Sequence, residues 1–175
     1  MRTFLRIWQA LTALVILAVI VLVVLIAGVR LVGLRPFVVV SGSMEPEYKV
    51  GSLLYVGKAS PDEIEVGDVI TFIMNKNLDV ATHRVVDIDE NAEYFYTKGD
   101  ANDEADTEPV YYKNIIGVPV FSIPLLGYLT TALSTPRGVI IAAAVVLVLI
   151  ILSFVPELVR GDRRRPLTKR ERRRK

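Results

Sequence analysis

The feature that most constrains this chain is an uncharged apolar run near its N-terminus, IWQALTALVILAVIVLVVLIAGV, from Ile7 to Val29. A helix of this length crosses a hydrocarbon core of about 30 Å. A second apolar run, from Gly138 to Val155, is near the lower limit for spanning. The first run exceeds the roughly 7–15 apolar residues of a cleavable signal peptide, and it lacks a clear small-residue cleavage site. We therefore predict two retained transmembrane helices, at 7–29 and 138–155, that frame a central domain.

The distribution of Lys and Arg predicts how the chain is oriented, because cytoplasmic flanks carry the excess of positive charge. Ten of the 21 basic residues follow Phe154, and two more precede the first span. Both ends, residues 1–6 and 156–175, are therefore predicted to be cytoplasmic, and residues 36–135 to be extracytoplasmic. The chain would be a multi-pass protein of the cell membrane, with its basic tail in contact with anionic headgroups of the lipid bilayer.

The central segment differs in charge from the ends. Between Pro36 and Thr135 there are six Lys or Arg residues against sixteen Asp or Glu residues. A nucleic-acid partner is excluded for this segment, since phosphate binding requires a basic surface. The chain has no cysteine. Disulfides, thiolate nucleophiles and zinc–thiolate sites are therefore excluded as well.

The central segment reads as β structure. Short runs rich in Val, Ile, Tyr, Phe and Thr are separated by Gly, Pro, Asn and Asp. These runs are FVVV, SLLYVGKA, DVITFIMN, VATHRVVDID, EYFYTKGD and IIGVPVFSI. The polar ANDEADTEP is predicted to be a loop. The apolar segment Pro124–Pro136 has three interpretations: it dips into the membrane interface, it belongs to the domain core, or it is a helix that leads into the membrane. We predict a mainly β fold, a small antiparallel sandwich or partly open barrel flanked by two transmembrane helices.

His83 is the only histidine, and it lies in VATHRVVDID. Strand alternation would place it on one face with Ala81, Val85 and Asp87. A lone histidine on a strand is more often structural than functional, and with no second histidine or cysteine a metal site is poorly supported. The alternative bases are the domain's lysines, and none is flanked by an apolar run that would desolvate it. Those lysines are Lys49, Lys58, Lys76, Lys98 and Lys113.

The serines in VVVSGSMEP give this histidine a possible partner. A serine hydroxyl becomes a nucleophile when a base within hydrogen-bond reach removes its proton and a third group orients that base. Asp87 and Asp89 are too close to His83 along one strand to approach it from the opposite side. Asp100 and Asp106 lie in or beside the acidic loop. The residues alone leave the choice of acid open.

Five blocks in order carry a resemblance: SGSMEP, GSLLYV, VGDVITF, THRVV and TKGDAN. Together they resemble type I signal peptidases over roughly Phe37 to Gly117. The resemblance is to the branch found in the endoplasmic reticulum, archaea and some Gram-positive bacteria, in which a histidine stands where most bacterial enzymes have a lysine. No single block would be as specific as the five in sequence.

The resemblance implies roles for five residues. Ser43 would be the nucleophile, His83 the general base, Asp106 the third member and Asp100 a second essential acid. The hydroxyl of Ser41 would help to hold the oxyanion beside the backbone N–H of Ser43. The resemblance also implies shallow pockets for an Ala-x-Ala cleavage site and catalysis without a metal or organic cofactor.

The position of Ser43 in the chain supports a membrane-held substrate. Ser43 is eight positions after Arg35, which we take as the membrane boundary, so it lies at most about 29 Å from that boundary. Secretory signal peptides have an apolar segment in lipid and a small-residue cleavage site just outside it. We expect Gly42 to permit a sharp turn that presents Ser43, and Pro46 to fix the chain's exit.

The predicted function is that of a membrane-bound serine endopeptidase that removes signal peptides from exported preproteins. Its partners would be those preproteins and the bilayer, with the secretion translocon as a further candidate. Two alternatives remain open on the sequence. One is a non-catalytic anchored β domain that acts as a scaffold, and the other is a peptidase dedicated to a few exported precursors.

Overall fold

The computed structural model describes residues 2–74 and 78–161. Lys76 and most of the predicted basic tail, residues 162–175, therefore lie outside the described residues. The chain divides into two units: one contains Met1–Val23 with Pro136–Lys175, and the other is Val24–Thr135. The first unit contains the two long apolar helices, and the second contains the β structure.

Helices α1, Arg2–Ile26, and α3, Pro136–Gly161, are both long and apolar enough to cross a membrane. In their shared unit, the Trp8 indole N–H donates a hydrogen bond of 3.1 Å to the Leu152 carbonyl oxygen. Helix α1 ends three residues before the predicted end of the first span, and a 3-10 helix follows over Gly28–Val32.

Within the described residues, seven strands form one antiparallel sheet, with the order β1-β2-β7-β3-β4-β5-β6. The strands are β1 Arg35–Val38, β2 Leu53–Gly57, β3 Val69–Ile73, β4 Val80–Asp89, β5 Tyr94–Lys98, β6 Val110–Tyr111 and β7 Ile115–Ile123. The sheet curves into a half-barrel, which confirms the predicted mainly β class. Residues 101–109 contain no strand, as predicted for the acidic loop.

Strand β7 joins the two halves of the sheet. Residues 118–123 pair with β2, whereas residues 115–117 pair with β3. At the change of partner, a Cβ on Gly117 would overlap the carbonyl oxygen of Gly57. Glycine therefore permits the close backbone approach that this crossing requires.

The hydrophobic core lies on one face of β3, β4 and β5, as the two-residue period of a strand requires. Its most buried members are Ile70, Phe72, Val85 and Phe95. The Tyr112 ring stacks on Phe95 with centroids 4.5 Å apart. This packing holds together β4, which carries His83, and β5, which carries Thr97.

Strand β4 keeps the predicted alternation only in its first half. Its pairing with β5 is irregular between Val85 and Asp87, which is a β-bulge. Beyond the bulge Ile88 packs against the core and Asp87 is exposed. The prediction that Asp87 shares a face with His83 is therefore wrong, because the bulge changes the phase of the strand.

The segment from Pro124 to Pro136 contains helix α2, Leu126–Leu133, which belongs to the β unit. The Gly127 N–H donates a 2.9 Å hydrogen bond to the Gly51 carbonyl oxygen. A Cβ on Gly127 would lie only 2.6 Å from the Ser52 carbonyl oxygen. The first turn of α2 therefore packs directly on the backbone that leads into β2. Contact of this segment with the membrane interface stays a prediction.

Candidate active site

Ser43 lies in a series of turns after β1. Val39 still bonds to the residues just before β2: its N–H donates to the Ser52 carbonyl at 3.0 Å, and its own carbonyl accepts from the Gly51 N–H at 2.9 Å. The chain then turns, and the Glu45 N–H donates to the Gly42 carbonyl at 3.0 Å. The following side chain, Met44, is buried and anchors the corner.

Gly42 does not have the steric role that the sequence suggested. Its φ lies outside the left-handed range, and an added Cβ would come no closer than 3.7 Å to the Glu45 side chain. The turn around Ser43 is therefore held by backbone hydrogen bonds and by the buried Met44 rather than by the conformational freedom of glycine.

His83 extends from β4 toward Ser43, and its side chain is 12% exposed. Its Nε2 atom lies 3.1 Å from the Ser43 Oγ. The Phe72 ring meets the imidazole edge-on, with centroids 6.3 Å apart. The only histidine of the chain is therefore within hydrogen-bond reach of the predicted nucleophile and packed against an aromatic side chain.

Asp106 is the acid that contacts the histidine. Its Oδ2 atom lies 2.5 Å from His83 Nδ1, and its side chain is 23% exposed. A carboxylate beside Nδ1 favours the tautomer with a proton on Nδ1, which leaves Nε2 free to accept from a serine hydroxyl. Ser43, His83 and Asp106 thus form one continuous chain of hydrogen bonds.

Thr97 is a residue at this site that the sequence analysis missed. The side chain is fully buried on β5, and its hydroxyl donates to Asp106 Oδ2 at 2.6 Å. The available signal was a threonine placed on the core-facing phase of EYFYTKGD, where a buried hydroxyl requires a partner.

Asp100 makes a different contact. It accepts two hydrogen bonds from the Arg84 guanidinium, at 2.8 Å and 2.7 Å, and the guanidinium also donates to the Gly67 carbonyl at 2.8 Å. The hydrogen bond from Arg84 is the largest cause that lowers the pKa of Asp100, and it outweighs the opposing effect of burial. The carboxylate is therefore ionised at neutral pH and engaged with Arg84 rather than with His83.

Ser41 lies beside the nucleophile, with its Oγ atom 3.3 Å from the Ser43 Oγ. This separation is longer than the usual 2.7–2.8 Å between hydrogen-bonded hydroxyls. The Ser41 hydroxyl is exposed and close enough to reach a group bound at Ser43.

A mostly apolar cleft of about 350 Å³ opens in front of Ser43 and His83. One wall is the segment from Phe37 to Ser41, and the facing wall is the first half of β4. Strand β1 is at the edge of the sheet, so the backbone that lines the cleft pairs on one side only. Apolar side chains that line the cleft are Val38, Val40, Met44, Leu54, Met74, Val80 and Ala81.

A serine hydroxyl, an imidazole and a carboxylate joined in this order at the wall of a cleft are typical of serine hydrolases. The particular family follows from comparison with known proteins. The profile of the family described as "Signal peptidase, peptidase S26" matches residues 11–123, well over half of the chain and all of the residues above. The chain therefore belongs to the peptidase S26 family of signal peptidases.

Similar proteins come from bacteria and from eukaryotes. The chain is 48% identical over 80 residues to Signal peptidase I W of Bacillus subtilis, a match that covers 44% of this chain and 42% of that protein. It is 38% identical over 108 residues to the signal peptidase complex catalytic subunit SEC11 of Colletotrichum graminicola, covering 55% and 62%. It is 33% identical over 104 residues to the catalytic subunit SEC11C of the dog, covering 53% and 54%. The chain thus spans less than two thirds of the length of these relatives.

Proposed function

We propose that this protein is a membrane-anchored serine endopeptidase that removes signal peptides from exported preproteins. The observation that carries the proposal is the chain of hydrogen bonds from Ser43 Oγ through His83 to Asp106 at the wall of an apolar cleft. Membership of the signal peptidase family supports the same conclusion. In this account Ser43 is the nucleophile, His83 the general base and Asp106 the residue that orients the histidine.

The reaction begins when His83 Nε2 takes the proton of Ser43 and the serine oxygen attacks the scissile carbonyl carbon. The tetrahedral intermediate collapses as the protonated imidazole delivers that proton to the leaving amine. The departing group is the N-terminus of the mature protein, and the signal peptide stays as an ester on Ser43. A water activated by His83 then hydrolyses the ester and releases the signal peptide.

The oxyanion of the intermediate requires hydrogen-bond donors, and the Ser41 hydroxyl is a candidate beside the nucleophile. Removal of a single oxyanion donor typically costs about 2.7–4 kcal/mol of transition-state stabilisation. The 3.3 Å separation of the two hydroxyls supports this role for Ser41, since a carbonyl attacked by Ser43 would present its oxygen close to both. The backbone N–H of Ser43 is the second candidate donor.

The cleft supports a substrate with small side chains near the scissile bond. An extended peptide that enters it can add to the edge strand β1, because the outer backbone edge of that strand is unpaired within the described sheet. Side chains of an added strand point alternately toward and away from the cleft floor. Val38, Met44 and Leu54 limit the space at that floor, which favours an Ala-x-Ala cleavage site over one with bulky residues.

Asp100 has an indirect role in this proposal. Its pairing with Arg84 orders the turn that begins at Gly99, and Ala101 of that turn contacts the backbone of Ser43. Asp100 is therefore proposed to position the nucleophile, whereas Asp106 acts on the histidine. That Asp100 is essential stays a prediction, and positioning of Ser43 is the proposed reason.

The membrane arrangement is also part of the proposal. Helices α1 and α3 are proposed to span the bilayer, with both chain ends cytoplasmic, the β domain outside and the basic tail on anionic lipid. Preproteins are the proposed substrates, and the secretion translocon is a candidate partner. A reporter fused after Lys175 is expected to be cytoplasmic, and an external reporter would contradict the arrangement.

The function is tested by incubating the detergent-purified protein with a model preprotein and sequencing the N-terminus of the product. Cleavage is expected directly after an Ala-x-Ala site and is expected to cease when the Ala next to the scissile bond is replaced by a bulky Leu. Unchanged cleavage of the Leu substrate would contradict the small-pocket account. A deletion strain that accumulates many different preproteins supports general processing, whereas a few uncleaved precursors indicate a dedicated peptidase.

A further inference from the structure

A single carboxylate oxygen of Asp106 has two donors. Oδ2 lies 2.5 Å from His83 Nδ1 and accepts from the Thr97 hydroxyl at 2.6 Å. The Asp106 backbone N–H in turn donates to the Thr97 carbonyl oxygen at 2.8 Å. Thr97 therefore bonds to residue 106 at two points, one on its backbone and one on its side chain.

These two bonds matter because Asp106 lies in an irregular segment between β5 and β6, outside any strand. A residue in a strand has its side chain directed by the pleat, whereas a loop residue has no such constraint. Asp106 is also partly exposed, so water competes for its oxygens. The direction of its carboxylate is then determined by the groups that bond to it.

Thr97 is suited to hold the carboxylate because it is itself immobile. The register pairs Thr97 with Val85 on β4, and His83 is two residues from Val85 on the same face. Thr97 is fully buried in the sheet. A buried hydroxyl without a partner is costly, and Val would fill this core position equally well. The hydroxyl is thus directed at Asp106 by the same strand pairing that places His83.

We propose that Thr97 is a positioning residue that fixes the carboxylate of Asp106 against His83 Nδ1. Through that carboxylate it selects the imidazole tautomer whose Nε2 accepts the proton of Ser43. The inference rests on the proposed function for its effect on catalysis, but the positioning itself is measurable without a substrate. Thr97 does not touch Ser43 or the cleft, so its influence passes through Asp106.

The test compares Thr97→Val, which exchanges the hydroxyl for a methyl group, with Thr97→Ser, which keeps the hydroxyl. Thr71→Val is the matched control, because Thr71 is also fully buried and its hydroxyl bonds to Thr82 at 2.9 Å rather than to Asp106. Thr97→Ala is made alongside as a second variant without the hydroxyl. Folding of each is checked by circular dichroism.

Two readouts are measured. The first is cleavage of the model preprotein: Thr97→Val is expected to lower kcat by about 10-fold to 100-fold, the same range as for loss of a residue that orients a metal ligand. KM is expected to stay unchanged, and Thr97→Ser should recover most of the lost rate. In an Asp106→Asn background, Thr97→Val should cause no further loss, since the effect acts through that carboxylate.

The second readout is the ¹⁵N spectrum of histidine-labelled protein, in which His83 is the only imidazole. Wild type and Thr71→Val should show a proton on Nδ1, and Thr97→Val should shift the population toward a proton on Nε2.

Two results would overturn the proposal. One is an unchanged spectrum with Thr97→Val, and the other is a loss of kcat from Thr97→Val that is as large in the Asp106→Asn background as in the wild type. It would also be overturned if Thr71→Val folds but neither variant without the Thr97 hydroxyl does. If the wild type cleaves nothing, the proposed peptidase function is wrong. The ¹⁵N spectrum still tests whether Thr97 positions Asp106.

Discussion

The backbone N–H of Ala101 donates a hydrogen bond of 2.8 Å to the backbone carbonyl oxygen of Ser43. The turn after β5 therefore contacts the backbone of Ser43 directly. The neighbouring Asp100 is bound to Arg84, which adjoins His83 on β4. One short segment thus links the backbone of Ser43, the proposed nucleophile, to the strand that carries His83, the proposed base.

Gly99 allows this contact, so Gly99→Ala should impair catalysis. A Cβ at residue 99 would lie 2.7 Å from the Ser43 carbonyl oxygen and 2.8 Å from the Asn102 amide nitrogen. The turn must then move away and Ser43 with it, and a displacement of about 1 Å can cost about 10²-fold in rate. Cleavage kinetics measure the loss. Gly99→Ala with wild-type kcat would show that the contact with Ser43 is dispensable.

Asp106→Asn should lower kcat by on the order of 10³–10⁴, because an amide no longer stabilises the imidazolium and favours the wrong tautomer. Its fold should be retained, since Asn has the same shape as Asp and the Thr97 hydroxyl can accept a hydrogen bond from the amide N–H. Single-turnover cleavage, which isolates the chemical step, is the appropriate measurement. A loss of less than 10-fold would remove Asp106 from the catalytic chain.

Asp100→Asn should change how stability depends on pH. The pKa of Asp100 is lowered below its ordinary 3.8, chiefly by the hydrogen bond from Arg84. A lowered carboxyl pKa contributes stability that is fully present above the unfolded-state value and is lost as pH falls through the lower folded-state value. Wild type should therefore be more stable than Asp100→Asn from neutral pH down to about pH 4, and the difference should shrink at lower pH.

Thermal unfolding of both proteins between pH 3 and pH 7 measures this difference. Asp103→Asn is the control, because Asp103 lies in the same loop and is exposed. That variant should follow the wild-type curve. A constant stability gap between wild type and Asp100→Asn over the whole range would show that the ion pair with Arg84 does not cause the effect.

Tyr55→Phe should destabilise the β domain by about 1 kcal/mol, the usual net value of one hydrogen bond. The Tyr55 hydroxyl donates to the Leu25 carbonyl oxygen at 2.8 Å, and its ring stacks on Phe121 with centroids 4.4 Å apart. Burial raises the pKa of Tyr55, which keeps the hydroxyl protonated as a donor. The Phe variant keeps the stacking and loses only the bond to Leu25.

Denaturant unfolding followed by circular dichroism measures that loss. The matched control is Tyr96→Phe, since Tyr96 is a partly exposed tyrosine on β5. An equal and small effect of both variants would mean that the bond to the end of α1 contributes nothing to stability. Cleavage by Tyr55→Phe should persist, because Tyr55 does not line the cleft.

Much of the fold was predictable because the strands are short β-branched and aromatic runs between clear turn residues. The prediction failed where tertiary contacts determine the backbone. Strand β6, Val110–Tyr111, has only two residues and was not predicted. The apolar pattern of β4 gives no sign of the bulge after Val85. Helix α2 was one of several open interpretations, because its packing on the Gly51 backbone depends on residues far away in sequence.

The residues of the candidate site were likewise predictable only in part. His83 was identifiable because a chain with one histidine and no cysteine offers few candidate bases. Ser43 and Asp106 were implied only by the resemblance to signal peptidases. The residues alone left the acid open, since a loop rich in carboxylates offers several spacings that satisfy the pattern. The two aspartates differ in their partners: Arg84 binds Asp100, whereas Thr97 binds Asp106. Both contacts depend on the pairing of β4 with β5, which composition does not specify.

Catalysis by Ser43 and His83 is tested by comparing wild type, Ser43→Ala and His83→Ala in cleavage of one model preprotein. Each protein is purified in detergent, and its fold is verified by circular dichroism. Wild type should cut after the Ala-x-Ala site, and both folded variants should be inert. If all three proteins behave alike, the corner at Ser43 is only a turn, and an anchored, non-catalytic β domain replaces the peptidase.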